Sequence, residues 1–209
     1  MSAGAGIRRL FGPYERQVSA AYRSIYIDIA ALASLVKRWQ PVAINILEVG
    51  CGEGQVTEQL RAAFPGAAIT AIDITPRLGR LYRGANGSVR FKVCTVQDLA
   101  MDEPMKFDLV VLSDVIHHVP NEHRQELLNS CKRTMTNGAV LVFKDWEPSY
   151  TPIHWMAYLS DRWLTGDRIR YLRRSQMHEL LIRTFGMEAL VAEERILPWK
   201  NNLAILVRK

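Results

Sequence analysis

Short apolar runs alternate along this chain with stretches whose apolar residues recur every three or four positions. The runs are Ile44–Val49, Ala68–Ile72, Val89–Val93, Phe107–Leu112 and Ala139–Phe143. Brief, valine- and leucine-rich segments of this kind suit interior parallel strands covered on both faces. Between them, Val56, Leu60 and Phe64 precede Pro65-Gly66, and Leu127, Leu128, Cys131 and Met135 precede Asn137-Gly138, both at helical spacing. Strand–helix alternation predicts an α/β fold with a doubly wound, Rossmann-like, mostly parallel sheet. Upstream, Val18, Tyr22, Ile25, Ile29, Leu32, Leu35 and Val36 predict one or two helices ending before Gln40-Pro41. After Trp146 the chain turns aromatic and arginine-rich to about Arg183. Strand candidates Met187–Ile196 and Leu203–Val207 come next, and their short connection predicts an antiparallel hairpin at the sheet edge. The expected organisation is a single domain over 1–209. A helical cap occupies 1–43, a ligand-binding core 44–145, and substrate-side helices with the closing hairpin 146–209.

Composition narrows the class without naming a function. With 209 residues, 48% hydrophobic and 23% charged, the chain reads as a globular protein with one core. No apolar run approaches the roughly 18–20 residues of a membrane span. The N-terminal MSAGAGIRRLFGPYE lacks the apolar centre of a secretion signal and reads as a frayed leader. Cys51, Cys94 and Cys131 lie far apart and match no zinc spacing, so a reduced, cytoplasmic protein without a metal centre is expected. The net charge of +6 gathers late, at Arg168, Arg170, Arg173 and Arg174. That cluster reads either as a solvated helix face or as a patch for an anionic partner. No RNA-binding motif accompanies it, so nucleic acid is disfavoured, and peripheral membrane contact stays open. No motif encodes an oligomeric state.

The strongest chemical signal is ILEVGCGEGQVT, residues 46–57, where a buried strand runs into Gly50-Cys51-Gly52-Glu53-Gly54 and a helix opens at once. Glycines there allow a sharp turn and let a ligand approach the loop amides. A nicotinamide fingerprint would need glycine at position 55, which is Gln. Asp73 closes the next strand, about 20 residues on, where a carboxylate can accept both hydroxyls of a ribose. Together the two elements predict a nucleoside ligand. A third element, SDVIHHVP, comes after the strand 107–112 and places Asp114, His117 and His118 at the strand ends where such sheets bind ligands.

LEVGCGEG, AIDIT and FDLVVLSDVIHHVP resemble the class I S-adenosylmethionine-dependent methyltransferases, in particular the branch acting on small molecules and lipids. The resemblance implies a seven-stranded sheet with the last strand inserted antiparallel, S-adenosyl-L-methionine as cofactor and S-adenosyl-L-homocysteine as product. It implies that Glu48 braces the glycine loop, that Gly50, Cys51 and Gly52 line the methionine part, and that Gly54 belongs to the cofactor site. Asp73 would hold the ribose, Ile74 would pack on adenine, and the Ser113 backbone would meet the methionine amino group. Where the family often carries an acid for the adenine amino group, this chain has Thr95. A threonine hydroxyl can accept that hydrogen bond, with the Val96 N–H reaching the ring and Gln97 or Asp98 compensating for the charge.

Methyl transfer needs a base only when the acceptor must lose a proton, and histidine suits that task. His118, in a D-x-x-x-H pattern with Asp114 similar to that of phosphobase methyltransferases, is the first candidate, and His117 the second. Tyr14, Tyr22 and Tyr26 are candidate partners. Trp146, Tyr150, His154, Trp155, Tyr158 and Trp163 are expected to divide between core and acceptor pocket, with Ile153, Met156, Ala157 and Leu164 as the core side of a helix. Thr165-Gly166-Asp167 reads as a turn and a helix cap. The functional reading is methyl transfer to a small or lipid-like O, N or C nucleophile. Two alternatives stand beside it: an RNA or protein methyltransferase using the Arg patch, and a cofactor-binding scaffold or pericyclic catalyst that does not methylate.

Overall fold

The computed structural model of the protein describes residues 14, 17, 21, 24–84, 87, 89–160 and 169–209. Seven strands form one sheet in the order β3-β2-β1-β4-β5-β7-β6. They are β1 (Asn45–Val49), β2 (Ala68–Asp73), β3 (Val89–Val93), β4 (Phe107–Ser113), β5 (Met135–Trp146), β6 (Leu190–Arg195) and β7 (Asn202–Arg208). The first five are parallel and β7 is antiparallel to both β5 and β6. The expected sheet and its edge hairpin are therefore both present.

Among the described residues, six helices of seven residues or more flank the sheet: α1 (Ile29–Trp39), α2 (Gln55–Ala63), α3 (Val96–Asp102), α4 (Asn121–Thr134), α5 (Pro152–Ser160) and α6 (Arg174–Phe185). Alternation along the strands divides the core into two layers, because successive side chains point to opposite faces. Leu47, Val110, Leu141 and Ile205 pack with Leu99 of α3, Leu128 of α4 and Leu181 of α6. Their neighbours Ile46, Leu109, Val142 and Ala204 pack with Leu32 and Val36 of α1 and Leu60 of α2. The outermost strand β6 carries Glu193, Glu194 and Arg195, charges that discourage edge-to-edge pairing.

Two local expectations are corrected. Asn137-Gly138 does not end a helix. Helix α4 stops at Thr134, where the Lys106 N–H bonds the Thr134 carbonyl, and Asn137-Gly138 fall inside β5 where its register against β4 shifts. A helix capped by Asp167, itself outside the described residues, would include 169–173. Those residues carry no helix, and α6 begins at Arg174. Their backbone is engaged elsewhere: the Arg170 N–H donates to the His117 carbonyl, and the Arg170 carbonyl accepts from the Arg124 guanidinium.

Candidate active site

The C-terminal ends of β1, β2, β4 and β5 converge at one edge of the sheet, each leading into a loop with candidate chemistry. The loop after β1 is tied down by its own amides. Gly50 and Cys51 N–H both donate to the Ile72 carbonyl, Gly52 N–H donates to Asp73 Oδ2 at 2.8 Å, and Gly54 N–H donates to the Cys51 carbonyl. These four amides are hydrogen-bonded within the protein.

Glycine serves the loop in two other ways. At Gly50 (φ +77°) an added Cβ would lie 2.2 Å from Val115 Cγ2, so the glycine and β4 loops pack in direct contact. At Gly52 (φ +50°) an added Cβ would meet nothing within 4 Å. Open space therefore lies over Gly52, and glycine lets a ligand body come close. Gly54 opens α2 as its N-cap, and Glu48 is buried on β1. Burial, reinforced by the Glu48 and Asp73 carboxylates, holds the Cys51 thiol far above its usual range, so it stays protonated.

A nucleoside fits the neighbouring surface. Asp73 Oδ2 accepts the Gly52 N–H and Oδ1 accepts the Thr75 N–H, which leaves lone pairs on both oxygens for hydroxyl donors. Ile74 beside it is 77% exposed, an apolar face with no core to cover it. Thr95, however, is the N-cap of α3. Its hydroxyl accepts the Asp98 N–H while its own backbone N–H donates to Asp98 Oδ2, closing a capping box, and the hydroxyl also donates to that oxygen. The acidic group at this strand end is thus the exposed Asp98 carboxylate, held below its ordinary range by the Thr95 hydrogen bonds. Val96 N–H is the first amide of that helix and has no intrahelical acceptor.

The β4 and β5 ends carry the ionisable cluster. The side chain of His117 is 4% exposed and its Nδ1 hydrogen-bonds Asp145 Oδ1, while Asp145 Oδ2 accepts the His117 backbone N–H at 3.1 Å. Trp146 N–H supplies Asp145 with a third hydrogen bond. A carboxylate only accepts, so Nδ1 is the donor of that ring pair. The half-buried His118 stacks on His117 at 4.2 Å between ring centroids, and Tyr171 lies 5.0 Å away on another side. His154 packs edge-on against Tyr171 and accepts the Trp146 indole N–H; burial lowers its pKa, which keeps it neutral.

Asp114 does not orient a histidine by hydrogen bond. Both its oxygens are taken by Lys144 Nζ, and the Ser113 hydroxyl also donates to it. Atoms of Asp114, His117 and Asp145 approach within 4.8 Å of one another, a spacing a cation would accept. The ammonium of Lys144 already supplies that charge to Asp114, and Asp145 already holds His117. Of the candidate tyrosines, Tyr14 is exposed, Tyr22 lies outside the described residues, and Tyr26 packs edge-on against Trp146. In α5, Ile153 and Ala157 are buried, but Met156 and Trp155 are more than half exposed, against the expectation that Met156 joins the core. Trp163, Leu164 and Arg168 lie outside the described residues. Sequence reasoning passed over Tyr171 and Lys144. Asp145 and Arg124 were visible only as ordinary residues of a strand and a helix. The signal available for Lys144 and Asp145 was FKDW, two charges at the end of an apolar run.

At the same end of the sheet a cavity of about 710 Å³ opens between Ile27 and Ile29, Gln55 and Glu58 of α2, and Leu197-Pro198 in the β6–β7 connection. Its lining contains none of His117, His118 or Asp145. Among the described residues no helix is long and apolar enough to cross a membrane.

A family model described as a methyltransferase domain matches residues 47–141. A ubiquinone biosynthesis O-methyltransferase of Xanthomonas axonopodis pv. citri is 33% identical over 108 residues, 50% of this chain and 44% of that protein. The chain thus spans less than half the length of this curated relative. Among solved structures, the fold is similar to 1,6-didemethyltoxoflavin-N1-methyltransferase of Burkholderia thailandensis, solved with 1,6-didemethyltoxoflavin and S-adenosylhomocysteine. The TM-score is 0.68 at 17% identity, covering 100% of this chain and 91% of that one. An O-methyltransferase family protein from the same organism superposes with a TM-score of 0.70 at 14% identity, over 97% and 59% of the two chains.

Proposed function

We propose that the chain is a class I S-adenosylmethionine-dependent methyltransferase and that it methylates a small molecule through a nucleophile that must shed a proton, with His117 as the base. When bound, S-adenosylmethionine supplies a methyl group already activated on a sulfonium sulfur. Asp73 and the surface at Ile74, Val96 and Asp98 would hold the nucleoside. Gly52 leaves room for the methionine part, lined by Gly50, Cys51 and Gly54 with Glu48 behind them, and the Ser113 backbone would meet its amino group. His117 takes the acceptor proton at Nε2, and Asp145 stabilises the resulting imidazolium through Nδ1. His118 stacks on that ring as its neighbour, a role that replaces base in this reading. The aromatic walls Tyr171 and Trp146 exclude water from the reacting groups.

The observation that carries the proposal is the buried His117–Asp145 pair at the strand ends. A methyl donor needs no base for a neutral amine with a free lone pair, whereas a hydroxyl must lose its proton during attack. The curated relatives bear the name of O-methyltransferases, which supports an oxygen acceptor. The RNA reading loses support because Arg174, part of the basic patch, is already paired with Glu193.

The test has two stages. Calorimetric titration of the full chain with S-adenosylmethionine and S-adenosylhomocysteine, with NAD as control, should show binding of the first two alone. Release of S-adenosylhomocysteine is then monitored with catechol and 3,4-dihydroxybenzoate as acceptors and polyuridylate as the RNA control. Turnover of a phenol is expected. Release with RNA alone, or binding without release from any phenol, would overturn the proposal.

A further inference from the structure

Lys144 is buried in β5 with its side chain 1% exposed, and its Nζ lies 2.6 and 2.7 Å from the two oxygens of Asp114. A buried ion pair is weak evidence for stability, because well-packed apolar groups usually serve as well. The pair therefore calls for another explanation, and the backbone of Asp114 offers one. Its φ of +57° is in the left-handed region, which non-glycine residues adopt uncommonly and in which Asp needs a local partner for its side chain. The Asp114 N–H also donates to the Lys144 carbonyl at 3.0 Å, so backbone and side chain of the one residue grip backbone and side chain of the other.

The path of the chain beyond Asp114 depends on that turn. The next residue, Val115, sits against Gly50 so closely that a Cβ there would collide with it. The short 3-10 turn Ile116–His118 then delivers His117 to Asp145. An extended backbone at Asp114 would carry Val115 and His117 away from both contacts.

We infer that Lys144 is a positioning residue: by clamping both carboxylate oxygens of Asp114 it holds that residue left-handed, and so sets the β4 loop against the glycine loop and His117 against Asp145. The charges agree with the clamp. Burial would raise the Asp114 carboxyl, but the Lys144 ammonium, with His117 and the hydrogen bonds from Lys144 and Ser113, outweighs it and holds the group ionised. The inference rests on the methyltransferase reading only for its readout, cofactor affinity.

The test exploits the backbone freedom of glycine. Full-chain Lys144→Met, Lys144→Met with Asp114→Gly, and Lys144→Met with Asp114→Ala are titrated with S-adenosylhomocysteine and melted thermally. Both double variants remove the buried charges alike and differ only in the ease of the left-handed turn. Loss of the clamp in Lys144→Met should weaken binding about tenfold, the scale of one strained backbone residue. Glycine at 114 should restore affinity to within about threefold of wild type and alanine should not. Should Lys144→Met fail to fold, the glycine–alanine contrast still decides. Wild-type affinity in Lys144→Met, or equal affinity in the glycine and alanine variants, would overturn the clamp. If wild type itself does not bind, the cofactor assignment fails instead. The clamp is then judged by the melts, where the glycine variant should melt above the alanine variant and equality would overturn it.

Discussion

Replacing Asp145 by Asn separates the two jobs of that carboxylate, holding the loop and holding the imidazole. Asp145 is fully buried and accepts three N–H groups, from His117 Nδ1, the His117 backbone and the Trp146 backbone. Asparagine has one acceptor oxygen. Placed at the Oδ1 position, it keeps the bonds to Nδ1 and Trp146 and turns its NH2 against the His117 amide. One charge-assisted hydrogen bond is then lost and a buried donor is left unsatisfied, a cost of about 1–3 kcal/mol. For a chain of this size that corresponds to a melting temperature lower by roughly 2–12 °C. In the opposite orientation the NH2 donates to Nδ1, forcing the ring proton to Nε2 and removing the base. Either way the imidazolium loses its counter-charge, so turnover should fall about 10²–10⁴-fold, the usual share of a positioned base. Affinity for S-adenosylhomocysteine should hardly change, since Asp145 does not touch the glycine loop. Initial rates with a phenol that wild type methylates, beside calorimetry and a thermal melt, give all three numbers. Turnover within a few-fold of wild type would refute the base assignment, whatever the melt shows.

Two further perturbations probe the site. Gly50→Ala meets both a left-handed backbone and a 2.2 Å clash with Val115, whereas Gly52→Ala meets only the backbone cost of about 1 kcal/mol. Melts should therefore rank Gly50→Ala well below Gly52→Ala. Calorimetry should show that Gly52→Ala loses cofactor affinity beyond its stability cost, and unchanged affinity would mean the space over Gly52 is not used. His154 gives a pH signature. Its folded pKa is lowered by burial, so the stability it contributes is full above its unfolded value near about 6.5 and is lost as pH falls through that region. Stability measured by urea titration should decline as pH falls below about 6.5, and His154→Gln should flatten that decline. An identical slope in the variant would show that His154 does not titrate with folding.

Much of the sheet was legible because parallel strands buried on both faces leave nearly continuous apolar runs, as at Leu109–Leu112. Their order along the chain is marked by the helices between them. The glycine loop and Asp73 were legible for a related reason: a backbone that must turn sharply beside a ligand leaves few residue types to choose from. Where the reading went astray, a tertiary partner had replaced a local rule. Asn137-Gly138 reads as a helix stop, yet the stop is made by Lys106 bonding the Thr134 carbonyl from another element. Arg170 and Arg173 read either as a solvated helix face or as a patch for an anionic partner, yet Arg170 lies outside any helix, its backbone held by His117 and Arg124.

The histidines show the same division more sharply. That HH after β4 faces the ligand edge is a statement about one strand, and the sequence carries it. Which histidine acts depends on what stands on the adjacent strand, and β5 lies about 30 residues later in the chain. Ser113 is paired with Lys144 in the parallel register, so Asp114 and Asp145 come next on neighbouring strand ends. The turn at Asp114 then decides which ring reaches the carboxylate. Its left-handed φ carries the chain into the 3-10 turn, which gives His117 both the backbone and the ring contact with Asp145 and leaves His118 stacked outside. A slip of one residue in the β4–β5 register would reverse which faces those side chains occupy. The selection of His117 over His118 is thus a property of strand register together with one clamped backbone angle, and neither has a signature within the eight residues SDVIHHVP.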